Sequence, residues 1–258
     1  MIVLRAGVAT AAALVGGLLG VSVKNIAHTT LCGLVSLAAG ALLAVTGLHI
    51  LPEAAHSIAE AGYAAWSWPI TVASAVAGLL ALYLIGKYVY YMCPACAATA
   101  SERQEGYLRL GILLIVTLGL HAMMDGLAIA AGYEHHNTML GALILVAVSY
   151  HKVPEGLALV SVCRLAGWSR SRSLFTTVAV EMTTALGALA GVYLLRGAST
   201  LWLGLTLGFI AGSFLYTVGF ATLKEMVEHE SNSIIVYAIM GALSIILIQA
   251  ALAGLHIT

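Results

Sequence analysis

Residues 149–160 read SYHKVPEGLALV, which sets a histidine, a lysine and a glutamate within five positions of an otherwise apolar run. Ionisable groups are costly in hydrocarbon, so such a cluster persists only where its members face one another, or an ion, inside a helix bundle. The flanking segment, about 138–162, has roughly the 20 residues that a helix needs to cross a bilayer. Comparable segments recur at about 2–22, 31–51, 68–90, 107–132, 173–195, 200–222 and 233–256. The sequence therefore predicts an all-α integral membrane protein of eight transmembrane helices, forming a single transmembrane domain over 1–258.

Composition supports the same class. Hydrophobic residues make up 61% of the 258 and charged residues only 9%, with a mean hydropathy of +1.01. A soluble domain of this length could not hide that much apolar surface from water. Strict alternation is absent, which argues against a β-barrel. Eleven basic residues balance eleven acidic ones, so the expected partner of this apolar chain is the lipid bilayer, and no nucleic acid. The longest connections, about 52–67 and 91–106, are too short for a second domain, so the chemistry must lie within the bundle.

Basic residues set the orientation. If the connections after segments 1, 3, 5 and 7 are cytoplasmic, they carry Lys24, Lys87, Arg103, Arg109, Arg164, Arg170, Arg172 and Lys224, and the other side only Arg5 and Arg196. That bias puts both termini on the non-cytoplasmic side, in a plasma or inner membrane. Of the four cysteines, Cys32 and Cys163 read as small packing residues. Cys93 and Cys96 form a C-P-A-C turn that lacks the ligands of a closed zinc site but has the spacing of a metal hand-off point.

Two internal echoes follow. HAMMDGLAI at 121–129 matches HKVPEGLAL at 151–159, and AGALL at 39–43 matches AGSFL at 211–215. The second pair relates segments 2 and 7, which belong to triplets 1–3 and 6–8 of opposite orientation, as in an inverted repeat. In the first pair, His121 and Asp125 are four residues apart, as are His151 and Glu155. Each pair therefore shares one helix face near the midplane. Two imidazoles and two carboxylates suit a borderline divalent metal, Zn2+ first, with Fe2+, Mn2+, Co2+ or Cd2+ acceptable to the same donors. Pro154 removes the backbone bond to the Tyr150 carbonyl between the two ligands of its helix, and Gly126 and Gly156 permit close helix approach.

These motifs, with HILPEA at 49–54 and AGSFLY at 211–216, resemble those of the ZIP (ZRT/IRT-like) metal transporters. The resemblance implies a 3+2+3 bundle in which an inverted repeat of helices 1–3 and 6–8 encloses helices 4 and 5. It also implies transport of zinc or related ions toward the cytoplasm, with His121, Asp125, His151 and Glu155 as primary ligands, and it leaves room for a homodimer. His49 and Glu181 become accessory candidates. Where many members complete a second metal site, this chain has Ala122 and Lys152, as does a subset with H-A-x-x-D-G and H-K-x-P. Lys152 shares a face with Glu155, so its ammonium is expected to stand between Glu155 and Glu181 as a tethered counter-ion in place of a second metal. Glu134, His135 and His136 are candidate collectors at the entrance, and Glu225, Glu228, His229 and Glu230 at the exit. Two other classes draw on the same ligands, an intramembrane zinc-dependent hydrolase and a metal-sensing protein that moves nothing. No H-E-x-x-H motif is present, and Glu155 is used as a ligand, so the chain is expected not to be an enzyme.

Overall fold

The computed structural model describes residues 1–22, 28–88, 104–134, 138–229 and 232–254, and their regular structure is entirely helical. The helices are α1 (Ile2–Ser22), α2 (His28–Val45), α3 (Leu51–Ile58), α4 (Ser67–Tyr88), α5 (Gln104–Glu134), α6 (Thr138–Leu165), α7 (Arg170–Leu195), α8 (Thr200–His229) and α9 (Asn232–Gly254). Six stretches of the described residues are long and apolar enough to cross a membrane, one of them the 54-residue run Cys32–Ile85. As one straight helix that run would measure roughly 80 Å at 1.5 Å per residue. It is broken at Gly62, whose φ of 97° favours glycine, and α3 and α4 on either side both pack on α8.

The second segment runs further than its sequence suggests. Pro52 reads as the end of a span, but the helix passes it through a π-turn, Thr46–Ile50, and continues as α3 to Ile58. Leu51 N–H bonds the Thr46 carbonyl in this wider turn, which accommodates a proline ring that cannot donate and would clash one turn back. Part of the expected 52–67 connection is therefore helix. Further on, the α6–α7 and α7–α8 connections are tight turns with Gly167 and Gly197 at positive φ, and Ser169 caps α7 by accepting from Arg172 N–H at 3.2 Å.

Backbone contact organises the packing. An added Cβ at Gly16 would fall on the Val153 carbonyl and one at Gly156 on the Ala13 carbonyl, which locks α1 to α6. Gly126 meets the Thr184 carbonyl and Gly187 that of Met123, joining α5 to α7 in the same way. Gly40 and Gly241 pair α2 with α9 against Ala238 and Leu37, while Gly78 and Gly212 pair α4 with α8 against Phe209 and Ala75. Such seams are how helices associate where lipid is as apolar as the side chains and there is no hydrophobic drive to bring them together. Both sequence echoes lie on them, since each supplies a glycine pair, Gly126 with Gly156 and Gly40 with Gly212. Gly40→Ala should lower stability by about 1–3 kcal/mol, the usual range for an overpacked core. Gly119→Ala, whose Cβ meets nothing within 4 Å, should leave it unchanged or raise it. Thermal unfolding in detergent checks both, and equal melting temperatures would sink the argument.

Candidate metal centre

The echoed pairs meet between α5 and α6. His121 and Asp125 lie one turn apart on α5, His151 and Glu155 one turn apart on α6, and all four are buried. One ligating atom from each can be chosen so that all lie within 4.8 Å of one another. His121 Nε2 is 3.6 Å from Asp125 Oδ1 and 3.2 Å from Glu155 Oε1, so it faces a carboxylate on each helix. The His121 and His151 rings have centroids 5.4 Å apart.

The α6 helix orients His151. Its Nδ1 lies 3.2 Å from the Ala147 carbonyl, which can only accept, and this turns Nε2 to Asp125 Oδ2 at 3.1 Å. With Nδ1 committed to Ala147, Nε2 is the nitrogen left for the carboxylate, through a shared proton, or for a cation. His121 Nε2 and Asp125 Oδ1 are buried without a hydrogen bond among the described residues. Imidazole nitrogens and carboxylate oxygens turned toward one another in a dry interior are matched by a shared proton or by a metal ion, and the four together could hold one.

Lys152 is the largest fully buried side chain. Its Nζ lies 2.8 Å from Asp125 Oδ2, 2.9 Å from Glu155 Oε2 and 3.0 Å from Glu181 Oε2, and so bridges α5, α6 and α7. Glu181 reaches the site through this ammonium and is not one of the four clustered residues. Ala122, beside His121, is completely buried. Three carboxylates against one ammonium leave a formal charge of −2 with the imidazoles neutral.

His49 does not join the cluster. It sits in the π-turn against Gln249 of α9 and Glu53. Sequence reasoning missed Phe214, fully buried with its ring edge-on to His151 at 6.5 Å, although it stands inside the AGSFL echo. It also missed Thr184, one turn beyond Glu181, whose buried hydroxyl has no hydrogen bond among the described residues. A cavity of about 70 Å3 adjoins the site, lined by Val35, Ala38, Ala39 and Leu42 of α2, Thr217 and Val218 of α8, and His151, Pro154 and Glu155. Toward the other end of the same helices, Val45, Ile144, Ala147, Ile210 and Phe214 are fully buried. Cys32 and Cys163 are buried and lie outside the cluster. Cys93, Cys96, His135, His136 and Glu230 lie outside the described residues, as do the side chains of Glu225, Glu228 and His229.

Residues 96–249, more than half of the chain, match the family model described as ZIP Zinc transporter. No curated protein matches the chain.

Proposed function

Because the chain belongs to the ZIP zinc transporter family, whose members move divalent metal ions and are not enzymes, we propose that it carries one divalent cation at a time through the His121, Asp125, His151 and Glu155 cluster. Zn2+ is the preferred cargo and the cytoplasm its destination. The observation that carries this reading is the buried quartet itself, two imidazoles and two carboxylates with their donors turned toward one another. A formal charge of −2 is matched by one divalent ion, and Lys152 fills the position that a second would need.

The packing supports a mechanism. The glycine seams join α1 with α6 and α5 with α7, and α1 also packs on α7, while α2 with α9 and α4 with α8 form separate pairs. The four ligands, Lys152 and Glu181 all ride on α5, α6 and α7. What α2 and α8 present to the site is mostly apolar, with Thr217 the polar exception. In our reading the eight segments form a 3+2+3 inverted repeat, and the ligand-bearing helices shift against α2 and α8. The cavity lies on the side of the site toward the α2 N-terminal end, and fully buried apolar side chains lie toward the other end, which in our reading are the open and the closed side. With both termini outside, the open end is the cytoplasmic one.

Purified protein in liposomes containing a metal-sensitive dye separates the classes. Transport predicts dye response on adding external Zn2+, whereas a hydrolase or a sensor predicts none beyond protein-free vesicles. The topology has its own test. A cysteine at 103 should be shielded from impermeant reagent in intact cells, and one at 135 should react, in a background without native cysteines. The reverse pattern would overturn the orientation.

A further inference from the structure

The His-x-x-x-carboxylate spacing of the core pairs occurs twice more, outside the cluster. His49 precedes Glu53 and His56 precedes Glu60, and the four residues follow one another along the π-turn, α3 and the second π-segment, Ala59–Tyr63. Offsets of 4, 3 and 4 keep them on one side of a helix. This stripe departs from α2 beyond Leu42, the end opposite to the cavity.

The pairs differ in exposure. His49 is half-buried, and its buried Nε2 has no hydrogen bond among the described residues. His56 and Glu60 are 64% and 55% exposed, with His56 Nδ1 3.9 Å from Glu60 Oε1. That separation is an ion-pair contact and not a hydrogen bond, and the two exposed side chains need draw together by only about half an ångström to share a tetrahedral ion. An exposed imidazole and carboxylate so close to apolar helix belong in water, at the mouth of a path, and not against lipid. The π-turn adds oxygen donors. Leu51 gives its N–H to Thr46 where an α-helix would give it to Gly47, and Pro52 has none for Leu48. The carbonyls of Gly47 and Leu48 thus lose their usual donors beside His49, and a Cβ at Gly47 would meet nothing within 4 Å. Wide turns of this kind concentrate at functional positions.

We propose that His56 with Glu60, followed by His49 with Glu53, forms a line of weak stations for borderline divalent cations that feeds the core site from the end opposite to the cavity. Each station offers two side-chain ligands and leaves the rest of the coordination sphere to water or backbone carbonyls. It therefore binds far more weakly than the four-ligand core and releases its ion readily. This inference rests on the core site being the transport site.

The test uses full-length protein, Zn2+ alone as probe, and two surface variants, Glu60→Ala and Glu60→His. Calorimetric titration past saturation of the core should show a weak phase that Glu60→Ala removes, with the tight equivalent intact. Glu60→His, which makes an i,i+4 imidazole pair, should tighten that phase by at least about tenfold. In liposomes, Glu60→Ala should raise the KM for Zn2+ by about three- to tenfold with the maximal rate unchanged, the pattern expected when binding outside the rate-limiting event is lost. A weak phase or KM indifferent to both substitutions would overturn the proposal. The core reading is scored separately, by whether His151→Ala removes the tight equivalent.

Discussion

The double substitution His121→Ala with His151→Ala is expected to lower Zn2+ flux below about one hundredth of wild type, because losing a ligand outweighs the ~10–100-fold cost of losing a ligand's hydrogen-bonding neighbour. Asp125→Ala and Glu155→Ala should act alike. Each leaves Lys152 with one carboxylate fewer, so expression and monodispersity must be checked beside flux. Acid should inhibit the wild type, since protons and metal compete for the same imidazole lone pairs. Near-normal transport by a well-expressed double variant would end the assignment.

The second large effect concerns metal count. Lys152→Asn removes the ammonium from among three carboxylates and supplies an amide oxygen, and Ala122→Asn adds another donor beside His121. The double variant should bind about one more Zn2+ per chain than wild type, the space and charge of the ammonium being given over to a second ion. Lys152→Met fills the space without a donor and should cost about 3–5 kcal/mol, the usual penalty for breaking a buried pair from one side. Elemental analysis after desalting measures the count and thermal unfolding the stability. One equivalent in wild type and double variant alike would mean that the lysine does not replace an ion. Two in wild type would sink the single-ion reading.

The clustering of the quartet was legible because a four-residue offset puts both members of a pair on one helix face whatever the tertiary fold, and repetition of the motif in adjacent segments made their meeting plausible. Lys152 was legible for the same reason, at three residues from Glu155. Phe214 was not, since an aromatic residue in an apolar span has no periodicity to set it apart. The course of α3 was hidden because Pro52 reads as a stop, and only the widened turn before it lets the helix go on. The AGALL and AGSFL echo was visible as a pattern, but its physical content, backbone meeting backbone at Gly40 and Gly212, required coordinates. His49 shows the converse limit. Its motif was clear, yet the direction its ring faces depends on a π-turn that the sequence does not advertise.

The lone ammonium among three carboxylates bears on how voltage acts on the cycle. If the quartet carries one divalent ion at a time, as proposed, the formal charges of the loaded cluster cancel, so the membrane potential does almost no work on it as its access changes sides. Empty and without added protons, the same helices carry −2, and moving two charges through a full 100 mV is worth about 5 kcal/mol. An inside-negative potential would then drive the empty carrier outward, back to where cargo is collected. On the proposed cycle the electrical driving force would enter on the return stroke, and its size would be set by the charge that Lys152 offsets.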